Sequence, residues 1–275
     1  MPELSADQFS LVYNIMSLCI ASMFAGAIFL FLSRSQVAAK YRPALLISAL
    51  VPTIAFYHYV RILMSYDAAY EMQVVDGVTS YVASGKPFND AYRYADWLLT
   101  VPLLVIELVA VLALAKSESR SLSTKLGVAA ALMIVLGYPG EVAAESGTAW
   151  MWWVASMIPF LFIMATLFTG FKSAVDRQPD SVKPLVTKAR GLSGLTWSFY
   201  PIAYIFGIGG EAGTGQVALQ VGYTIADITA KVGLGLYIYA IARAKSDADG
   251  FVPGQAEGPA LATAGAESQQ EVFQG

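Results

Sequence analysis

Seven apolar stretches, at about 9–32, 43–64, 91–115, 126–144, 149–171, 192–209 and 217–242, limit what this chain can become. A run of about 20 apolar residues has the length a helix needs to cross a bilayer. The rest of the composition agrees: 56% of residues are hydrophobic and only 13% charged, against roughly a quarter charged in soluble domains. The expected fold is therefore all-α, a seven-transmembrane-helix bundle in one domain over residues 1–245. No cleavable leader is expected, because an acidic start (Glu3, Asp7) with no basic segment precedes the first stretch. Cys19 is the single cysteine, which excludes an intrachain disulfide.

The connections carry their own signals. Between the second and third stretches, the alternating run Met72–Tyr81 contains an Asp-Gly pair suited to a tight turn. A short extracellular β-hairpin between helices 2 and 3 is the expectation. Residues 246–275 are rich in Ala, Gly, Gln and Glu without apolar periodicity and read as a disordered tail. Cations crowd the odd-numbered loops: Arg34, Lys40 and Arg42; Lys116, Arg120 and Lys125; Lys172, Arg177, Lys183, Lys188 and Arg190; then Arg243 and Lys245 after the last stretch. The positive-inside rule then puts those loops and the C-terminus in the cytoplasm and the N-terminus outside. The net charge of -3 includes no basic patch suited to nucleic acid.

Within the apolar stretches, the few ionisable residues carry the chemistry. Lys231 lies in the middle of the seventh, with Asp227 one turn before it. A lysine at that depth costs roughly 3 kcal/mol on insertion scales and marks a functional site by default. Side chains four apart share a helix face, so the Asp227 carboxylate can reach the Lys231 nitrogen. On the third stretch, Arg93, Asp96, Thr100 and Glu107 fall on one stripe of a helix turning about 100° per residue. Such a stripe must face the bundle interior. Asp96 and Glu107 are separated by about 16 Å at 1.5 Å per residue, which places one carboxyl on each side of a central nitrogen, as a proton relay requires. Buried polar groups that merely bond neighbouring helices are the plainer alternative. His58, the only histidine, stands on the second stretch in AFYHYVRI, where a packed core or interface role is the simplest reading. No metal site is expected.

Three motifs, RYADWLLTVPLL from Arg93, WSFYPIAY from Trp197 and DITAKVG from Asp227, closely resemble the microbial (type 1) rhodopsins in order and spacing, over roughly residues 9–245. The resemblance implies that Lys231 holds all-trans retinal covalently as a protonated Schiff base, with Asp96 and Asp227 as counterions. Asp96, Thr100 and Glu107 follow the pattern of outward proton pumps of the proteorhodopsin and xanthorhodopsin type, with Asp96 as proton acceptor and Glu107 as donor. His58 matches a histidine that contacts the counterion aspartate in proteorhodopsins, so it is expected to hydrogen-bond Asp96. Trp97, Leu104, Trp153, Ser156, Trp197, Tyr200 and Tyr204 match positions of the retinal pocket, and an apolar residue at Leu104 implies green absorption. Pro201 is a natural hinge.

Two departures matter. Some members carry a glutamate pair near the extracellular exit; this chain offers Glu211 there, and the second position falls near Leu219 or Gln220, which implies late proton release. Members that bind a carotenoid antenna have a glycine where this chain has Trp153, so no antenna is expected. The resemblance further implies a transporter rather than an enzyme, seated in the bacterial inner membrane and lipid bilayer, moving protons, as a pentamer or hexamer. A photosensory rhodopsin signalling to a membrane transducer is the chief rival. A seven-helix carrier with Lys231 merely salt-bridged to Asp227 is the second.

Overall fold

The computed structural model describes residues 1–143, 145–209 and 212–254. Seven helical spans cross back and forth, as the apolar stretches require. They are α1 (Ala6–Ser33), α2 (Arg42–Ala68), α3 (Ala91–Leu112), α4 (Lys116–Glu141), a fifth built from α5 (Ser146–Ala165) and α6 (Lys172–Asp176), a sixth, α7 (Lys183–Gly209), and a seventh built from α8 (Ala212–Ile228) and α9 (Leu234–Ala248). Two π-helical turns, Thr166–Gly170 and Thr229–Gly233, join the paired segments. Among the described residues, six stretches are long and apolar enough to cross a membrane. The helices overrun the apolar stretches: α4 begins ten residues early with the polar sequence KSESRSLSTK, and α7 begins at Lys183.

At one end of the bundle, β2 (Tyr70–Val75) and β3 (Val78–Ala83) form the expected antiparallel hairpin. Asp76 and Gly77 both take positive φ, 50° and 79°, the conformation of a type I′ turn whose twist matches the strands. The N-terminus adds a third strand, β1 (Leu4–Ser5), on the far edge of β3 in the order β1-β3-β2. Ser5 then caps α1 through reciprocal bonds with Gln8. Phe9 stacks on Tyr81 with ring centroids 3.8 Å apart, tying the first helix to the sheet.

The opposite end is held by the region after Lys231. Glycine lets the seventh span approach the first: a Cβ on Gly235 would sit 2.7 Å from Leu30, and one on Gly26 would sit 3.0 Å from Val232. The last helix does not stop at residue 245. It runs to Ala248, Ser246 Oγ accepts the Ala38 amide at 2.9 Å, and the Asp249 carboxylate binds Lys40 Nζ at 2.9 Å and the Tyr41 hydroxyl at 2.8 Å. The folded part thus takes in the first residues of the expected tail, because polar groups there close the loop between α1 and α2. Residues 255–275 lie outside the described residues. Lys245 is likewise no loop cation, since its side chain is buried with 6% of the residue exposed.

Partial burial raises the Asp249 carboxyl, but the bonds from Lys40 and Tyr41 more than offset this and leave it below the ordinary carboxylate range. A carboxyl lowered on folding contributes stability above its unfolded pKa and loses it as pH falls through the folded value. Asp249→Asn should therefore lower the thermal midpoint at neutral pH, and the gap from the parent should close in acid; melting curves across that window check this.

Candidate functional site

Lys231 stands at the centre of the π-helical turn Thr229–Gly233, a local widening often found at functional positions. Its nitrogen lies 2.7 Å from Asp96 Oδ2 and 2.8 Å from Asp227 Oδ1, and all three side chains are buried. The two carboxylates are not equivalent. Asp227 accepts bonds from the Tyr59 hydroxyl at 2.8 Å, the Tyr200 hydroxyl at 2.6 Å and Trp97 Nε1 at 3.1 Å. Asp96 Oδ1 has no hydrogen-bond partner among the described residues.

The α3 stripe is buried as its spacing requires: Arg93, Asp96, Thr100 and Glu107 are all inaccessible. Their roles differ in detail from a row of side chains aimed at one point. Thr100 turns its hydroxyl onto the Asp96 backbone carbonyl at 2.8 Å. Arg93 reaches neither counterion directly. It donates to Tyr59 at 2.9 Å, Asp90 at 3.1 Å and Gln220 at 2.6 Å, so Tyr59 links it to Asp227. Glu107 lies toward the basic end with neither oxygen bonded among the described residues; Ser48 stands beside it with its hydroxyl also unbonded.

The expected His58–Asp96 hydrogen bond is not formed. Nδ1 lies 3.8 Å from Asp96 Oδ1, beyond bonding reach, because it is 3.0 Å from the Ile54 carbonyl one turn back on its own helix. His58 is Asp96's neighbour rather than its donor. Glu211, on which the release argument partly rested, lies outside the described residues. Tyr59, Asp90 and Ser48 were not singled out by the sequence, and Gln220 entered only as a position near the second member of the exit pair. Tyr59 directly follows His58 in AFYHYVRI, and a polar residue on that helix was the available signal.

Beyond Lys231 opens a narrow cavity of about 80 Å³ among α3, α4, α5, α7 and α8. All seven pocket residues expected from the sequence, Trp97, Leu104, Trp153, Ser156, Trp197, Tyr200 and Tyr204, line it together with Lys231 and Asp227. Met133, Gly137 and Tyr94 complete the wall from the fourth and third spans. A buried amine beside a narrow, aromatic, apolar slot suits a long conjugated aldehyde, so the residues fit retinal.

A bundle of seven spans with a buried lysine between two carboxylates defines a retinal-binding membrane protein. Residues 11–245 match the family described as Bacteriorhodopsin-like protein, and the chain belongs to that family, the microbial rhodopsins. It is similar to the green-light absorbing proteorhodopsin of Gamma-proteobacterium EBAC31A08, with 31% identity over 82% of this chain and 84% of the relative. It is similar also to bacteriorhodopsin of Halobacterium salinarum, 30% identical over 78% of this chain and 77% of the relative. Among solved structures, xanthorhodopsin, described as a light-driven ion pump with dual chromophore, superposes with a TM-score of 0.87 at 50% identity, over 92% of this chain and all of that one. A thermophilic rhodopsin superposes at 0.86 with 46% identity, over 91% of this chain and all of that one.

Tyr59→Phe would remove the hydroxyl that joins Asp227 to Arg93 and leave a buried guanidinium N–H unbonded. Such a loss costs about 1–3 kcal/mol, and the measurable outcome is a lower thermal midpoint together with a displaced acid–base titration of the pigment's visible absorption.

Proposed function

We propose that the chain is a light-driven outward proton pump with all-trans retinal linked to Lys231 Nζ. One observation carries the reading: α3 places a carboxyl in contact with Nζ and a second, unbonded carboxyl eleven residues toward the basic end. When bound, retinal supplies light absorption and a change of geometry at that nitrogen.

The chain's own residues do the rest. Asp227 is already held as an anion by three donors, whereas Asp96 keeps one oxygen free to receive a proton. Asp96 is thus the acceptor from Nζ, at 2.7 Å. Arg93, bonded to Tyr59 and Asp90, carries the change of charge toward the hairpin end. There a polar cavity lined by Asp90, Asn89, Glu141 and Gln216 offers the proton a way out. An ionised carboxylate with only the Ser48 hydroxyl beside it in an apolar layer is costly, so Glu107 holds its proton in the dark and passes it to Nζ once that nitrogen is bare. It refills from the basic end. By the positive-inside rule that end is cytoplasmic, which makes net movement outward from a bacterial inner membrane. A donor carboxyl at Glu107 favours pumping over sensing. Trp153, where antenna-binding members carry a glycine, donates to the Pro201 carbonyl at 3.0 Å, which supports a single chromophore. Proton release late in the cycle, and assembly as a pentamer or hexamer, complete the proposal.

Retinal-supplied cells expressing the chain should acidify their medium under green light, with the signal abolished by a protonophore and by Asp96→Asn; a coloured protein that moves no protons would sink the pump reading. Glu107→Gln should slow return of the proton to Nζ by about 10²-fold or more, within the range of about 10²–10⁴ assigned to a positioned proton donor. Flash spectroscopy reads it directly.

A further inference from the structure

The mechanism above leaves one buried cation unused. Lys245 Nζ donates to the Val111 carbonyl at 3.1 Å, the Leu112 carbonyl at 2.7 Å and Gln178 Oε1 at 2.7 Å. An ammonium has three donors and no acceptor, so every N–H is used, and each is spent on another element. Val111 and Leu112 are the last residues of α3, where helix carbonyls lack intrahelical partners and the dipole favours a cation. Ala113, at φ 50°, ends the helix in the left-handed conformation. Gln178, just beyond α6, reinforces the junction by donating to the Leu112 and Ala174 carbonyls at 3.3 and 3.0 Å. Among the described residues, no carboxylate touches the nitrogen. The charged or titratable groups facing it are Lys40, Tyr41, whose ring centroid is 5.1 Å away, and Asp249.

The place of this junction gives it meaning. Glu107 precedes Leu112 by five residues on the same helix, about 7.5 Å at 1.5 Å per residue. Leu108, Val111 and Leu112, which follow Glu107 toward the basic end, belong with Phe171, Val175 and Ile241 to one buried apolar cluster. A proton that refills Glu107 from the basic end must cross this cluster. Lys245 pins together the three elements that would have to part, and its positive charge opposes a cation passing through, the effect by which charged side chains exclude protons from pores.

We propose that Lys245 is the bolt of the proton-uptake path, a positioning residue whose release from the end of α3 sets when Glu107 is refilled. The inference rests on the reading of Glu107 as the donor refilled from that end. A methionine keeps the bulk and removes the donors and the charge, so Lys245→Met should speed proton uptake about tenfold, equivalent to about 1.4 kcal/mol of barrier, while Lys245→Arg restores the parent rate. A pH-indicator dye with flash excitation reads the uptake. The chromophore-free protein supplies an independent readout: amide hydrogen exchange at residues 108–113 should rise in Lys245→Met and return in Lys245→Arg. Gln178→Ala, which leaves the lysine in place, should shift both readouts the same way by less and keeps the test open if Lys245→Met does not fold. Unchanged or slower uptake in the methionine variant, where Glu107→Gln does slow the cycle, would overturn the bolt alone. A normal cycle in Glu107→Gln would instead remove the donor reading on which the bolt rests.

Discussion

Everything in this molecule is arranged around one nitrogen held between two carboxylates in a place where water cannot reach it. An isolated ammonium or carboxylate of this kind is costly to remove from water. The contacts of Lys231 with Asp96 and Asp227, at 2.7 and 2.8 Å, make the charges tolerable only together. That mutual dependence explains why the surrounding hydroxyls and the indole of Trp97 converge on Asp227. It explains too why Arg93 is threaded, fully buried, between Tyr59, Asp90 and Gln220. Removing any member leaves a charge or a donor stranded in a low-dielectric interior.

The inequality between the two carboxylates turns a stable cluster into a directional one. A symmetric pair would offer a proton two equal destinations. Here three donors hold one partner while the other has a bare oxygen, and the unbonded Glu107 lies on the far side along the same helix. In the proposed pump, asymmetry of hydrogen bonding, rather than any single residue type, is what makes the path one-way.

Much of this was legible in the sequence, for reasons that particular residues make plain. The Asp227–Lys231 contact follows from four-residue spacing on a helix, and the burial of Arg93, Asp96, Thr100 and Glu107 follows from their common stripe. The Asp-Gly turn followed from the need for two positive φ angles. What escaped depended on tertiary geometry. A strand of two residues, Leu4–Ser5, is too short to show a period. The π-helical turn at Lys231 leaves no mark in an apolar run. The His58 contact was misjudged because the ring is closer to the carbonyl of its own helix at Ile54 than to Asp96. Lys245 was taken for a loop cation because its acceptors are backbone carbonyls of a helix remote in sequence. Hydropathy also truncated α4 and α7, whose polar first turns project beyond the apolar layer.

The three-stranded sheet has a consequence for how the protein is made. Leu4 and Ser5 precede α1, yet their partners Tyr81 and Ser80 lie beyond α1, α2 and the hairpin turn. The pairing of β1 with β3 therefore forms only once two spans and the hairpin have been made. The sheet closes as a late seal on a partly built bundle. Because Phe9 stacks on Tyr81, that seal also fixes the rotation of the first helix, so a segment that precedes the first two spans is set in place only after both.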